Sequence, residues 1–331
     1  MRLEAHIEIP QGLDLIAAEG DEQKAFLNWA SQHSKIYEST ELMQERFKIW
    51  KDNNKKIREF NAQSVSSGKK NPVILKHTKR SDQTLDELTA TLASTQTEGD
   101  RRRLENSNHD SERNLAHEGP LTAQTHDWSH ATLPVKDECA CSVPFIFAGN
   151  TVIEATEYIN QVQTSPQKIS LSEQLVVDCG SWDGYSGGCA SGDAKDMFDW
   201  YQQSGTVEAS AYPYLSGITC AAHDCQFPNS ADRDQGLVTG SGELNTMQDM
   251  VDMIAERPLV GRFSVDPFVF NFYSFGLIEN GSGMGCNSDP DNSTNHQMVI
   301  AGYDQVGQGG IHHVKKTSDQ IYGRFKTPQE F

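Results

Sequence analysis

The chain has 331 residues, 28 lysines and arginines against 46 aspartates and glutamates, a net charge of −18 and a mean hydropathy of −0.59. Such an acidic surface is repelled by nucleic-acid backbones and anionic membranes, so no nucleic-acid partner is expected. No run approaches the roughly 20 apolar residues that span a bilayer, which argues against membrane insertion, and the length corresponds to one large domain or two small ones.

Residues 1–21 scatter Glu4, Glu8, Pro10 and Asp14 through what would be an apolar secretory core, and are expected to form an N-terminal extension. The compartment stays unknown. In residues 22–62, Phe26 and Trp29, then Phe47, Trp50, Ile57 and Phe60, recur at spacings of three, four or seven between charged residues. That periodicity predicts two amphipathic helices. From about Ser64 to Thr125 polar residues dominate, which predicts an exposed connector; the division drawn is a helical region over 22–90 and a polar linker over 91–125.

A compact domain is expected over 126–331. An apolar stretch of helical period runs from Val143 to Val162, and a second helix is predicted near Asp193 to Gln203. Strand-like runs follow at Leu259–Val265 and Met298–Tyr303, and helices followed by strands predict an α+β fold of two halves. The cysteines Cys139, Cys141, Cys179, Cys189, Cys220, Cys225 and Cys286 cluster in this domain in a disulfide-like pattern, and their odd number leaves at least one thiol unpaired. His312 and His313 are adjacent in a strand-like run and would face opposite ways, so no metal site is expected, nor any cofactor.

Residues 134–155, PVKDECACSVPFIFAGNTVIEA, resemble the papain-like cysteine peptidases of cathepsin L type. Leu171-Ser172-Glu173-Gln174 with Val177-Asp178-Cys179 is similar to the family's LSEQ…VDC. Ala211-Tyr212-Pro213-Tyr214 with Cys220 resembles its YPY…C, and Asn295-His296 with Ala301-Gly302-Tyr303 its NH…GY. Upstream, Arg46, Trp50, Asn53, Ile57 and Asn61 match the helical signature of the inhibitory propeptide, with Leu42 where an acidic residue is expected. The resemblance implies a two-lobed fold, a helical lobe plus a β-barrel lobe, behind a helical propeptide-like region. It also implies disulfides Cys141–Cys189 and Cys179–Cys220, leaving Cys139, Cys225 and Cys286 over.

The chemistry departs from the family. In a gapless register the family's Gln-Gly-Ser-Cys-Gly-Ser-Cys-Trp becomes Glu138 to Phe145, which puts Pro144 at the nucleophile and Glu138 at the oxyanion glutamine. Proline has neither a thiol nor an N–H to give, and an ionised Glu138 would repel an oxyanion. Lys316 falls at the asparagine that orients the histidine, so His296 alone survives, read as a packed histidine beside a strand. The alternative nucleophile is Cys141, which needs a three-residue deletion after Asp137 and the loss of its bridge. The groove wall becomes Ser191 and Gly192, with Ser191 narrowing it. These readings imply an inactive homologue acting as a structural or binding component with a protein partner or larger assembly, a peptide in the residual groove being a further partner. The alternative is an active endopeptidase using Cys141 and His296. A third reading makes the region 22–90 an inhibitor of genuine papain-like peptidases.

Overall fold

The computed structural model describes residues 21–69, 71–90, 92, 125–138, 141–161, 167–180, 184, 188–189, 192–219, 221–229, 233–244, 247–279, 296–306, 309–315 and 322–326. Two compact units form. The first comprises Met1–Thr89 with Pro267–Gly276, and the second Ala90–Asp266 with Leu277–Phe331. The segment 267–276, expected in the C-terminal domain, therefore folds with the N-terminal region.

In the first unit the two amphipathic helices are α1 (Glu22–Gln32) and α2 (Thr40–Ser66), the latter capped by the Ser39 hydroxyl accepting the Leu42 N–H. Their apolar faces meet in a cluster of Phe26, Trp29, Ala30 and Trp50. The stretch after α2 is not the exposed connector its polarity predicted. Val73, Ile74, Leu75, His77, Thr78, Ser81 and Asp82 are all buried, and α2 supplies the partners that make this tolerable. Asn61 donates to the Leu75 carbonyl (2.9 Å) and accepts the Leu75 N–H (2.8 Å), while Asn53 donates to the carbonyls of Ser81 and Gln83. Arg46 grips Glu87 through two bonds of 2.8 Å and holds the Asp82 carbonyl; this grip outweighs burial, which acts the other way, and sets the Glu87 carboxyl down to about 2. Helix α3 (Leu85–Ala90) starts on a reciprocal Thr84 and Glu87 capping pair.

Strand β1 (Ile74–Leu75) pairs antiparallel with β4 (Tyr273–Phe275), which follows α9 (Pro267–Phe272). Lys76 N–H donates to the Phe272 carbonyl at 2.8 Å. Gly276, at φ +111°, sits so close to Pro72 that a Cβ there would overlap the backbone. This pairing is what draws 267–276 into the first unit.

The second unit has the expected order, helices then strands. It begins with β2 (His126–Asp127), α4 (Pro144–Gln161), the short α5 (Glu173–Leu175), α6 (Ala194–Ser204), α7 (Ser216–Thr219) and α8 (Met247–Ile254). Strands β3 (Leu259–Phe263), β5 (Leu277–Glu279), β6 (His296–Val306), β7 (Gly309–Lys315) and β8 (Tyr322–Lys326) complete it. The sheet runs β2-β6-β7-β8-β5, with β3 also paired to β6. The core of the helical half joins Phe145, Ile146 and Ile153 of α4 to Met197, Trp200 and Tyr201 of α6. Ala148 of α4 packs with Val299 and Ala301 of β6, so helix and sheet share a buried apolar contact.

Candidate functional site

The site is built where α4 and β6 begin. The Val143 carbonyl accepts the N–H groups of Ile146 and Phe147, so α4 opens at Pro144, where the missing proline N–H has no intrahelical partner to lose. The preceding N–H, that of Val143, donates to Glu138 Oε2 at 3.1 Å. Glu138 is 3% exposed, and its carbonyl accepts the Tyr214 hydroxyl at 3.0 Å. A carboxylate against the positive end of a helix is favourably placed. Val143 is apolar and cannot cap α4 with its own side chain; Glu138, five residues upstream, satisfies the N–H of the residue just before the helix.

Cys141, the candidate sulfur for chemistry, is fully buried and bonded to Cys189 as expected. The second bridge differs from expectation. Cys179 pairs with Cys225 and not with Cys220, so Cys225 is no longer left over. The reason is local. Cys179 lies in a π turn (Val176–Gly180) whose Asp178 accepts the His223 N–H at 2.7 Å and the Tyr212 hydroxyl at 3.1 Å. The Tyr212 hydroxyl in turn accepts the Gln226 N–H, and these bonds bring the 223–226 strip to Cys179.

His296 heads β6, is 2% exposed and stands opposite Phe263 of β3. Ala148, one turn into α4, meets Val299, three residues into β6, so Pro144 and His296 open two elements that pack on each other. Gly192 is retained for packing: a Cβ there would overlap the ring of Phe145. Beneath α4, Lys136 bonds Glu173 at 2.6 Å and Glu154 at 3.0 Å. Burial works against the Lys136 charge, but the two carboxylates outweigh it and raise its pKa. Lys316, Ser191, Cys139, Cys220 and Cys286 lie outside the described residues. Among the described residues no group of three or more His, Cys, Asp or Glu could hold a metal ion, and no helix is long and apolar enough to cross a membrane.

The roles of Asp82, Glu87, His77 and Tyr214 were not foreseen. A readable signal existed for one of them, Thr84-x-x-Glu87, the spacing of a capping box. His77, buried and stacked on Trp50 with ring centroids 4.4 Å apart, gave none.

Residues 122–323 match the family model described as Papain family cysteine protease, and residues 26–88 match that of the Cathepsin propeptide inhibitor domain. Thiol protease SEN102 of Hemerocallis sp. is 26% identical over 307 residues, 92% of this chain and 78% of that protein. Digestive procathepsin L 3 of Tenebrio molitor larval midgut superposes with a TM-score of 0.69 at 23% identity, covering 92% of this chain and 93% of its own. The proform of the Amb a 11 cysteine protease, a ragweed pollen allergen, gives a TM-score of 0.69 at 20% identity over 96% and 92%. Both likenesses speak for the fold.

Proposed function

Since the chain belongs to the papain family of cysteine proteases, we propose that it keeps the family's scaffold without the peptidase chemistry and serves as a structural or binding component of a protein assembly. The observation that carries this reading is Pro144 at the head of α4, with Glu138 bonded to the N–H beside it. A pyrrolidine ring has no lone pair free for acyl transfer and no proton for a histidine to take. Its nitrogen has no hydrogen for an oxyanion, and a carboxylate in the glutamine's place adds negative charge where negative charge would develop.

Loss of a nucleophile alone costs on the order of a million-fold in turnover, and each oxyanion donor about a hundred- to a thousand-fold, without strict additivity. Loss of the nucleophile by itself suffices to remove useful turnover. Cys141 does not rescue it, because a sulfur held in the Cys141–Cys189 bridge is neither thiol nor thiolate.

The test is hydrolysis of a fluorogenic dipeptide by the full chain at pH 5 and pH 7, before and after limited proteolysis of the 91–125 linker. The expected result is no turnover in any arm. Turnover that disappears in Cys141→Ala would overturn the reading and make Cys141 the nucleophile.

A further inference from the structure

Asp193, at the N-terminus of α6, is 2% exposed and binds three partners through one carboxylate. Its Oδ1 accepts the Lys195 N–H at 2.8 Å, capping the helix. Its Oδ2 accepts Arg262 Nε at 2.9 Å, Arg262 Nη2 at 2.6 Å and Gln297 Nε2 at 3.0 Å. Gln297, 1% exposed, uses its Oε1 to accept the Ala194 N–H at 3.3 Å. The helical half supplies Asp193 and Ala194, whereas Arg262 on β3 and Gln297 on β6 are register partners of the sheet half. The chain places this group between the two ends of the site: Gly192, against Phe145, precedes Asp193, and His296 precedes Gln297.

We propose that Asp193, Arg262 and Gln297 form a polar clasp that closes the cleft beside His296 to the side chains of an extended peptide, and fastens the helical half to the sheet half in a ligand's place. A buried carboxylate is stable only while its partners stay. A peptide side chain entering here must displace Arg262 or Gln297 and leave Asp193 charged and under-bonded, and an apolar side chain brings no donor to replace them. The clasp rests on the reading above only for the location of the cleft, and deepens it by removing a groove-bound peptide from the list of partners.

The experiment uses the full chain with Asp193→Asn, Arg262→Leu and both together; asparagine keeps the helix cap while the charge goes. In urea unfolding, the double-mutant cycle is expected to show at least about tenfold coupling in the unfolding constant, reduced in part by salt because Asp193 is buried while Arg262 is 35% exposed. Coupling under about twofold overturns the clasp. By fluorescence anisotropy, the folded double variant is expected to bind a fluorescein-labelled Leu-Leu-Arg amide at least about tenfold more tightly than wild type. Equal binding, or micromolar binding by wild type, overturns the closure. Should the double variant not fold, Arg262→Lys, which keeps the charge and loses the fork, is read by the same two measurements, with the peptide affinity expected to rise and no rise overturning the closure. Labelling of the wild type by an active-site thiol probe would overturn the inactive reading and leave both of these readouts standing.

Discussion

The helical region around α2 and the start of α4 both resemble the same family, yet they differ in what has been kept. In α2 the matching positions each hold a specific contact: Arg46 to Glu87, Trp50 to His77, Asn53 to two carbonyls, Asn61 to both backbone groups of Leu75. At α4 the packing positions are filled, with Phe145 against Gly192 and Cys141 in its bridge, while the expected nucleophile position holds proline. On the reading proposed above, contacts that hold the chain together have persisted where groups that would react have not. This is the pattern left when a fold is still required and its original chemistry is not.

That contrast makes graded predictions. Trp50→Ala removes a fully buried ring from the α1–α2 cluster and from the His77 stack, and is expected to destabilise the first unit by about 3 to 5 kcal/mol in urea unfolding followed by tryptophan fluorescence. Replacing Cys141 and Cys189 together by serine is expected to cost about 2 to 4 kcal/mol in the second unit, and, on the inactive reading, to leave peptide hydrolysis at the background level of the wild type. A loss of turnover in that variant would reverse the contrast.

The third prediction concerns pH. Burial, with His33 adding in the same direction, pushes the His77 imidazole from 6.5 down to about 3. The folded state therefore binds fewer protons than the unfolded chain below pH 6.5. The stability this histidine permits is fully present above pH 6.5 and is lost as pH falls toward 3, by about 2 kcal/mol at pH 5. His77→Gln should flatten the slope between pH 6.5 and pH 5, a window above that in which Glu87 begins to titrate. An unchanged slope would assign the acid lability elsewhere. The smallest effect is expected for Arg46→Lys, which keeps the charge but loses the paired bonds to a half-exposed Glu87, at under about 1 kcal/mol by thermal unfolding.

Much of this was legible in the sequence. The spacing of Phe26, Trp29, Phe47, Trp50 and Ile57 gave the two helices, and the apolar stretch from Val143 gave α4 to within one or two residues, because helical periodicity records which face is buried. The papain-like fold followed from motifs whose order agrees along the chain. Less legible was the burial of residues 73–82, since His77, Thr78, Ser81 and Asp82 look like surface residues until the side chains of α2 that satisfy them are known. Resemblance pointed to Cys220 as the partner of Cys179, whereas Asp178 and Tyr212 bring Cys225 to it through bonds that spacing does not record. The Asp193 clasp was equally hidden, because its members are 69 and 104 residues apart in sequence.

The central claim is that this chain carries the scaffold and no reactive thiolate at its site. It is tested most directly by incubating the full chain, and the chain cut within residues 91–125, with an epoxide-based active-site thiol probe at pH 5 and pH 7, and mapping any adduct by mass spectrometry. No adduct on any residue of 126–331 is the predicted result. A stoichiometric adduct on Cys141, lost when His296 is changed to alanine, would contradict it.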